Sequence, residues 1–414
     1  MIHAPLRRSA VALALSLLAA GAAQAGIYLN LPEVPGEATA AGHKGWIDLN
    51  SVQWGAGVGI SSGAGGSRRE ASAPSVSEIS WSQNLDSSVP PLFGKAFSGT
   101  ITPTSKIDLV ASGKGKGTPY LSLETEKVAI TGVSLSNDSV SASQGYAKFT
   151  MTYDPTGLGD SGQVVSTTYD VLRNETEGPT HRAAEKFTGT VPAAGAGTSM
   201  YLRLGSGATA IAGDSRAAGY ENWIKIDSAQ MGVGLGYNPA TGETSQPSLS
   251  ELVFTQSFDA TVPVVFADLL RGTNIGQATI EYVRGGPAGP VTFMQLALDD
   301  VMISGLSLSS GGDLPSVSES LNFTGFSQTF WSIQPDGTRG KAISTGYDVV
   351  KGAATTGRLA SNVADFGAGN LSPLLAAAGG SEPLPAAPIP EPQTWLMMLA
   401  GIGLLAGAAR RRAA

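Results

Sequence analysis

Three kinds of side chain in this chain invite a chemical reading, and in each the spacing argues against it. Gly113-Lys114-Gly115-Lys116-Gly117-Thr118 has the composition of a phosphate cradle, but its lysines and glycines are not spaced as a nucleotide-binding loop requires. A solvent turn between strands fits better. Gly55-Ala56-Gly57-Val58-Gly59 lacks the strand–helix–strand setting that would aim it at a dinucleotide. The sequence has three histidines, His3, His43 and His181, too few and too scattered for a multi-histidine metal site. His43 reads as a loop hydrogen-bonding group beside Trp46. Glu124/Glu126 and Asp299/Asp300 are of the right type for acid–base work. They fall on or beside expected strands with no shared partner, where exposed charge also discourages edge association. No set of titratable residues converges along the sequence, so the expectation is a protein that is not an enzyme, with no catalytic residue, cofactor or metal.

These residues sit in a chain that says the same thing twice. Val128-Ala129-Ile130-Thr131-Gly132-Val133-Ser134-Leu135-Ser136 returns as Val301-Met302-Ile303-Ser304-Gly305-Leu306-Ser307-Leu308-Ser309, 173 positions later. Ser166-Thr167-Thr168-Tyr169-Asp170-Val171 returns as Ser344-Thr345-Gly346-Tyr347-Asp348-Val349. The chain therefore reads as two copies of one domain. Gly45-Trp46-Ile47-Asp48-Leu49 matches Asn222-Trp223-Ile224-Lys225-Ile226 at an offset of 177. Past the Gly-rich stretches 58–74 and 234–247 the offset returns to 173. Length changes thus fall in loops while strands keep register.

Each copy opens on an alternating strand, Ile27 to Leu31 and Met200 to Leu204. A later strand places Ile79, Trp81 and Leu85 on one face, repeated by Leu252, Phe254 and Phe258. Gln83 and Gln256 share that face and are expected to satisfy a backbone group at an edge or bulge. One helix per copy is expected. Pro90 and Pro263 suit a first turn, Leu92, Phe93, Phe97 and Val265, Phe266, Leu269, Leu270 follow, and Gly99 and Gly272 are placed to end it. One short helix among about eight strands predicts an all-β fold, two tandem barrels or sandwiches.

The two ends read as export addresses. Arg7 and Arg8, the apolar run Ala10 to Ala20, and Ala23 and Ala25 at the positions a signal peptidase needs follow the order of a signal peptide. At the other end Pro390-Glu391-Pro392 precedes the apolar run Trp395 to Ala409 and the cluster Arg410, Arg411, Arg412. That run is short for a bilayer span, and its arginines would stay cytoplasmic. The expected division is a signal peptide over 1–25, a first domain over 26–173 and a linker over 174–198. A second domain over 199–352, an Ala/Gly/Pro-rich linker over 353–389 and a sorting segment over 390–412 follow, with apolar helical segments at both termini. The chain has no cysteine and a formal charge of −7, which becomes more negative once the terminal arginines are removed. An acidic body excludes non-specific nucleic-acid binding, which needs clustered Lys and Arg.

The C-terminal tripartite segment resembles the PEP-CTERM sorting signal, which implies recognition and cutting by an exosortase. Ile27-Tyr28-Leu29, Gly36-Glu37 and Gly42-His43-Lys44-Gly45-Trp46-Ile47 resemble the start of the Hcp (haemolysin-coregulated protein) family, the tube protein of type VI secretion. The resemblance continues through a Gly/Ser-rich loop, Asp86, the Pro-led helix, Tyr153, Gly162 and Ser166 to Val171. The second copy keeps Trp223, Asp259, Pro263 and Tyr347-Asp348 but reads Gly219-Tyr220-Glu221-Asn222 at the His43 motif. The resemblance implies β-barrels flanked by one helix, six-membered rings and stacking into a tube, usually without catalysis. Members are ordinarily single-domain and lack a signal peptide of this type.

The functional expectation is a non-catalytic exported protein of the cell envelope or extracellular matrix, its two Hcp-like domains serving self-assembly or partner binding. Three chains would close a pseudo-hexameric ring; a monomeric tandem is the alternative. Other readings are a type VI tube or cargo protein and a surface module binding exopolysaccharide. Signal peptidase and an exosortase are the expected processing partners, with transient anchoring by the C-terminal helix.

Overall fold

The computed structural model describes residues 26–355 apart from 62–68, 113–116, 138, 185–197, 207–209, 287–288 and 312–313. The expected cleavage residues Ala23 and Ala25 and the sorting residues Pro390, Glu391, Pro392, Arg410, Arg411 and Arg412 lie outside these, as do the terminal apolar segments and most of the Lys-rich turn at 113–118. Among the described residues no helix is long and apolar enough to cross a membrane.

Copy 1 begins with β1 (Gly26–Asn30), β2 (Ile47–Gly57), β3 (Ser75–Val76) and β4 (Ile79–Asn84), followed by α1 (Val89–Ser98). It continues with β5 (Thr102–Val110), β6 (Leu121–Ser136), β7 (Ser139–Gly145), β8 (Lys148–Tyr153), β9 (Val165–Asp170) and β10 (Glu175–Glu177). Pairing runs β2–β1–β5–β6–β7–β4 and back to β2, so six antiparallel strands close a barrel. The 16-residue β6 makes this possible by bending at a bulge between Ile130 and Gly132, pairing β5 and β8 with its first half and β7 with its second.

Copy 2 repeats the plan with β2 broken up. Its first part is β11 (Thr198–Leu204), β12 (Ile224–Ile226), β13 (Ser228–Gln230), β14 (Val233–Gly234), β15 (Tyr237–Asn238), β16 (Glu243–Thr244) and β17 (Ser248–Leu249). Then come β18 (Leu252–Ser257), α2 (Val262–Arg271), β19 (Asn274–Gly286) and β20 (Gly289–Ser310). The copy closes with β21 (Ser316–Asn322), β22 (Gly325–Ile333), β23 (Arg339–Asp348) and β24 (Ala353–Ala354). The 22-residue β20 bends at Ile303/Gly305, the position equivalent to the bulge in β6.

The core follows the alternation read from sequence. Ile79 and Trp81 in β4, and Leu252 and Phe254 in β18, are buried on one face. Leu85 departs from the expectation: it falls after β4 and is half exposed, while its counterpart Phe258 is buried beside Tyr153. Both helices carry proline in the first turn and end on a left-handed glycine, Gly99 at φ 63° and Gly272 at φ 59°. The connecting stretch is partly structured. Strand β10 pairs with β9, and Arg182 makes a parallel bridge with Ile211 of copy 2.

Candidate assembly interface

The residues that looked most chemical turn out to fasten loops. His43 is buried, with Nε2 3.1 Å from Asp108 Oδ2 and Nδ1 3.3 Å from the Ala41 carbonyl. It stacks on Tyr28 at 4.7 Å and meets Trp46 edge-on at 4.8 Å. Ser122 donates to Asp108 at 2.6 Å, so the serine faces the acid and not the imidazole. That order lacks the serine–base contact a nucleophile needs. Tyr220 occupies the His43 position in copy 2. It stacks on Tyr201 at 4.4 Å, meets Trp223 edge-on, and donates to Glu281 at 2.7 Å. Glu281 is the counterpart of Asp108. Burial pushes the Tyr220 hydroxyl up to about 12. The same loop is thus pinned to the same barrel face in both copies by different chemistry.

The carboxylate pairs are engaged elsewhere. Glu124 and Glu126 bind Lys106 at 3.2 Å and Lys148 at 3.1 Å, while Asp299 accepts from Gln277 and Asp300 from Thr324, Asn274 and Arg69. His181 is exposed at the rim of a cleft of about 1040 Å³ whose lining includes Arg182, Ser166 and Val264 but no carboxylate. Among the described residues no group of three His, Cys, Asp or Glu is placed to hold a metal. The expectation for Gln83 and Gln256 is corrected: they bond side chains, not backbone. Gln83 accepts from Trp81 at 2.9 Å and donates to Ser88 at 2.7 Å. Gln256 donates to Thr261 and Glu319, both at 3.2 Å.

The feature with the most organised chemistry is the seam between the copies. Val52–Gly57 of β2 pairs antiparallel with Gly305–Ser310 of β20, so the two barrels share a continuous sheet. Helix α2 lies against β2, β8, β9 and β10 of copy 1, and every residue from Val262 to Leu270 is buried. Its Phe266 meets Trp54 edge-on at 4.9 Å and Phe149 at 5.7 Å, while Trp54 stacks on Phe149 at 4.3 Å. Thr167 donates to the Pro263 carbonyl at 2.6 Å, and Arg271 donates to the Thr176 and Gly178 carbonyls. From the copy 1 loop, Arg69 is buried against the Asp300 carbonyl, the Asp300 carboxylate and Asn322. The seam is therefore an aromatic centre ringed by hydrogen bonds.

Each half of the seam has a counterpart in the other copy, and both counterparts are open. Helix α1 buries only Leu92 and Lys95; Phe97 is 83% exposed, and Phe93, the equivalent of Phe266, is partly so. Copy 2 offers the matching seat. Phe326 stands where copy 1 has Phe149, Met231 where it has Trp54, and Phe330 where it has Tyr153. Phe330 is 43% exposed against 4% for Tyr153. Where Phe266 fills the aromatic centre of copy 1, copy 2 has a cavity of about 380 Å³ lined by Met231, Leu252, Tyr282, Met294, Phe326 and Gln328. Beside it the loop bearing Val233, Leu235 and Tyr237 is exposed, whereas in the equivalent copy 1 loop Val58 donates to the Ser304 carbonyl of copy 2 and Arg69 reaches Asp300. The outer edge of β6 over Gly132–Ser136, equivalent to the β20 segment that pairs with β2, has no strand on it among the described residues.

A family model described as "Type VI secretion system effector, Hcp" matches residues 28–153 and again 201–330, more than half of the chain. The chain belongs to the Hcp family. A second model, the PEP-CTERM protein-sorting motif, matches residues 388–412 and marks the chain as an exported protein sorted to the cell surface. A comparison with curated proteins gave no match. Among solved structures, a type six secretion system protein is 20% identical over 37% of this chain and 100% of its own, with a TM-score of 0.35. Hcp1 from Salmonella typhimurium is 19% identical over 37% of this chain and 99% of its own, with a TM-score of 0.31. A type VI secretion system effector from Yersinia pestis is 19% identical over 35% and 99%, with a TM-score of 0.27. Each covers about one copy of the tandem.

Proposed function

We propose that this is a non-catalytic exported protein of the cell envelope or extracellular matrix that assembles head to tail. Helix α1 of one chain would seat on copy 2 of the next, as α2 seats on copy 1 within the chain. The observation that carries this is reciprocal: the two surfaces left open are the repeat-equivalents of the two surfaces that close the internal seam. A contact between two different surfaces propagates, closing into a ring or continuing as a filament according to its rotation. With six-membered rings the family's habit, three tandem chains supply six positions. The domain limits 26–173 and 199–352 belong to this reading, with signal peptidase acting after Ala25 and an exosortase-type enzyme removing the segment that starts at Pro390-Glu391-Pro392. Mass spectrometry of both ends of the exported protein tests the processing. Light scattering over a concentration series tests assembly: a mass rising toward three chains supports it, and a clean monomer at high concentration removes it.

A second reading has its own observation. In copy 2 the Arg203 guanidinium lies 5.3 Å from the Trp223 ring, Arg284 5.4 Å from Phe293 and Arg339 4.9 Å from Trp331. Cation–aromatic surfaces of this kind suit acidic exopolysaccharide. A glycan array with no binding to acidic or neutral chains would leave it without support. A type VI tube or cargo role is tested by deleting the sheath: export that persists without the sheath and stops without the signal peptide excludes it.

A further inference from the structure

The two copies solve one buried hydrogen-bonding problem differently. In copy 1, Trp81 Nε1 donates to Gln83 Oε1 at 2.9 Å, and Gln83 Nε2 donates to Ser88 at 2.7 Å and Asp86 at 3.2 Å. Donor and acceptor atoms of the amide are all used. In copy 2, Phe254 replaces Trp81 and supplies no N–H. Directly opposite Trp81 on β7 is Ala142; directly opposite Phe254 on β21 is Glu319. Glu319 is 0% exposed. Its Oε1 accepts from Gln256 Nε2, which leaves Glu319 Oε2 and Gln256 Oε1 buried and without a partner. Two acceptors cannot satisfy one another, whereas an acid hydroxyl and an amide oxygen can.

Among the described residues, the influences on this carboxyl are its burial, Asp259 and Gln256, with no cation among them. Asp259, at the start of the α2 connection, is an acid that acts on Glu319, and Asp214 acts in turn on Asp259. Arg182 is held on Asp214 at 2.6 Å. The neighbours in register are apolar: Phe254 on β18 and Leu306 on β20. Ala229 lies beyond Phe254 on β13. A carboxylate here would be a desolvated anion beside other acids, the arrangement that favours the neutral form.

We propose that Glu319 is held as a neutral carboxylic acid which supplies to Gln256, from the neighbouring strand, the hydrogen-bond donor that Trp81 supplies in copy 1, and that loss of this proton loosens the sheet at the seam. Burial first and Asp259 second push the Glu319 carboxyl up to about 8, in agreement. The seam is involved because one row of residues crosses it: Ala56 of copy 1 faces Leu306, Leu306 faces Glu319, and Glu319 faces Phe254. A carboxyl raised in the folded state stabilises fully below its ordinary range, and that stabilisation drains away as pH rises through the folded value. The molecule is therefore weakened by alkali, from the seam outward.

The test uses the full mature chain at about pH 6 and about pH 9. Wild type, Glu319→Gln and the double replacement Phe254→Trp/Glu319→Ala, which installs the copy 1 pair, are melted at both. Wild type should lose roughly 5 °C or more beyond the loss seen in Glu319→Gln, with hydrogen exchange accelerating over 303–321. The double variant should resemble Glu319→Gln. Equal pH slopes for wild type and Glu319→Gln overturn the proposal. Should the double variant not fold, a difference infrared spectrum of wild type against Glu319→Gln decides: a protonated carboxyl band near neutral pH supports the proposal, and an ionised carboxylate there overturns it.

Discussion

Helices α1 and α2 occupy the same place in two copies of one fold, yet one is enclosed and the other faces outward. Both run ten residues from a valine through proline to a left-handed glycine. Over the second half of the helix α1 has Gly94, Lys95, Ala96 and Phe97 where α2 has Ala267, Asp268, Leu269 and Leu270. Lys95 of α1 reaches Glu33 and Thr102 at the edge of its own copy. Asp268 of α2 is buried, and burial pushes its carboxyl up to about 7 against the opposing pull of Thr273 and Arg271. The difference teaches that α2 is adapted to a partner always present in the same chain. Helix α1 retains aromatic residues but keeps a surface compatible with water, as the proposed contact between chains requires.

The comparison can be broken most severely at the seam. Phe266→Ala should lower unfolding stability by about 3–5 kcal/mol, because it leaves a cavity beside the stacked Trp54 and Phe149 rings that it meets edge-on; the matching Phe93→Ala should cost far less, and denaturant titration of both variants checks the contrast. Next in size is the buried loop fastening. Asp108→Ala strands His43 and Ser122 together and should cost about 1–3 kcal/mol, read in the same titration. Arg69→Ala removes the donors that hold the copy 1 loop on Asp300 and Asn322 and should cost about 1–2 kcal/mol, with faster proteolysis near residues 61–72 as the local readout. The smallest effect on stability belongs to Phe97→Asp. Phe97 is 83% exposed and meets the partly exposed Phe93 ring at 5.8 Å, a surface contact that contributes within about 0.5 kcal/mol, so the melt should barely move while the mass of the assembly falls.

Much of this organisation is legible before folding. Proline and glycine bracket both helices because a helix start and a left-handed stop have few alternatives. The duplicated Val-x-Ile segments mark the two long bent strands because each must serve two sheets at once. The alternation Val317, Glu319, Leu321 places the glutamate on the inward face, a signal that was available from period two alone. Its burial is not, because that depends on β18 closing over it, with Gln256 63 residues away in sequence. Tyr220 at the His43 position is legible from the repeat, but its shared role is not: stacking on a barrel tyrosine and reaching an acid are contacts that are not local in sequence. Leu85 departs from the alternation because it lies one residue past the end of β4, where the chain turns toward α1. The seam itself is invisible to any pattern within one copy, since it is made by the same face that each copy would otherwise show to water.

The central claim is that α1 and the open seat on copy 2 are two halves of one contact between chains. The absence of native cysteine makes a direct measurement possible. One preparation carries Phe93→Cys and another Met231→Cys, each labelled with a different tag, and the two are mixed with a short thiol-reactive crosslinker. The account predicts crosslinked pairs joining one tag to the other and little product from either preparation alone. Equal yields in the mixed and unmixed samples, or no product at concentrations where the chain is fully soluble, would contradict it.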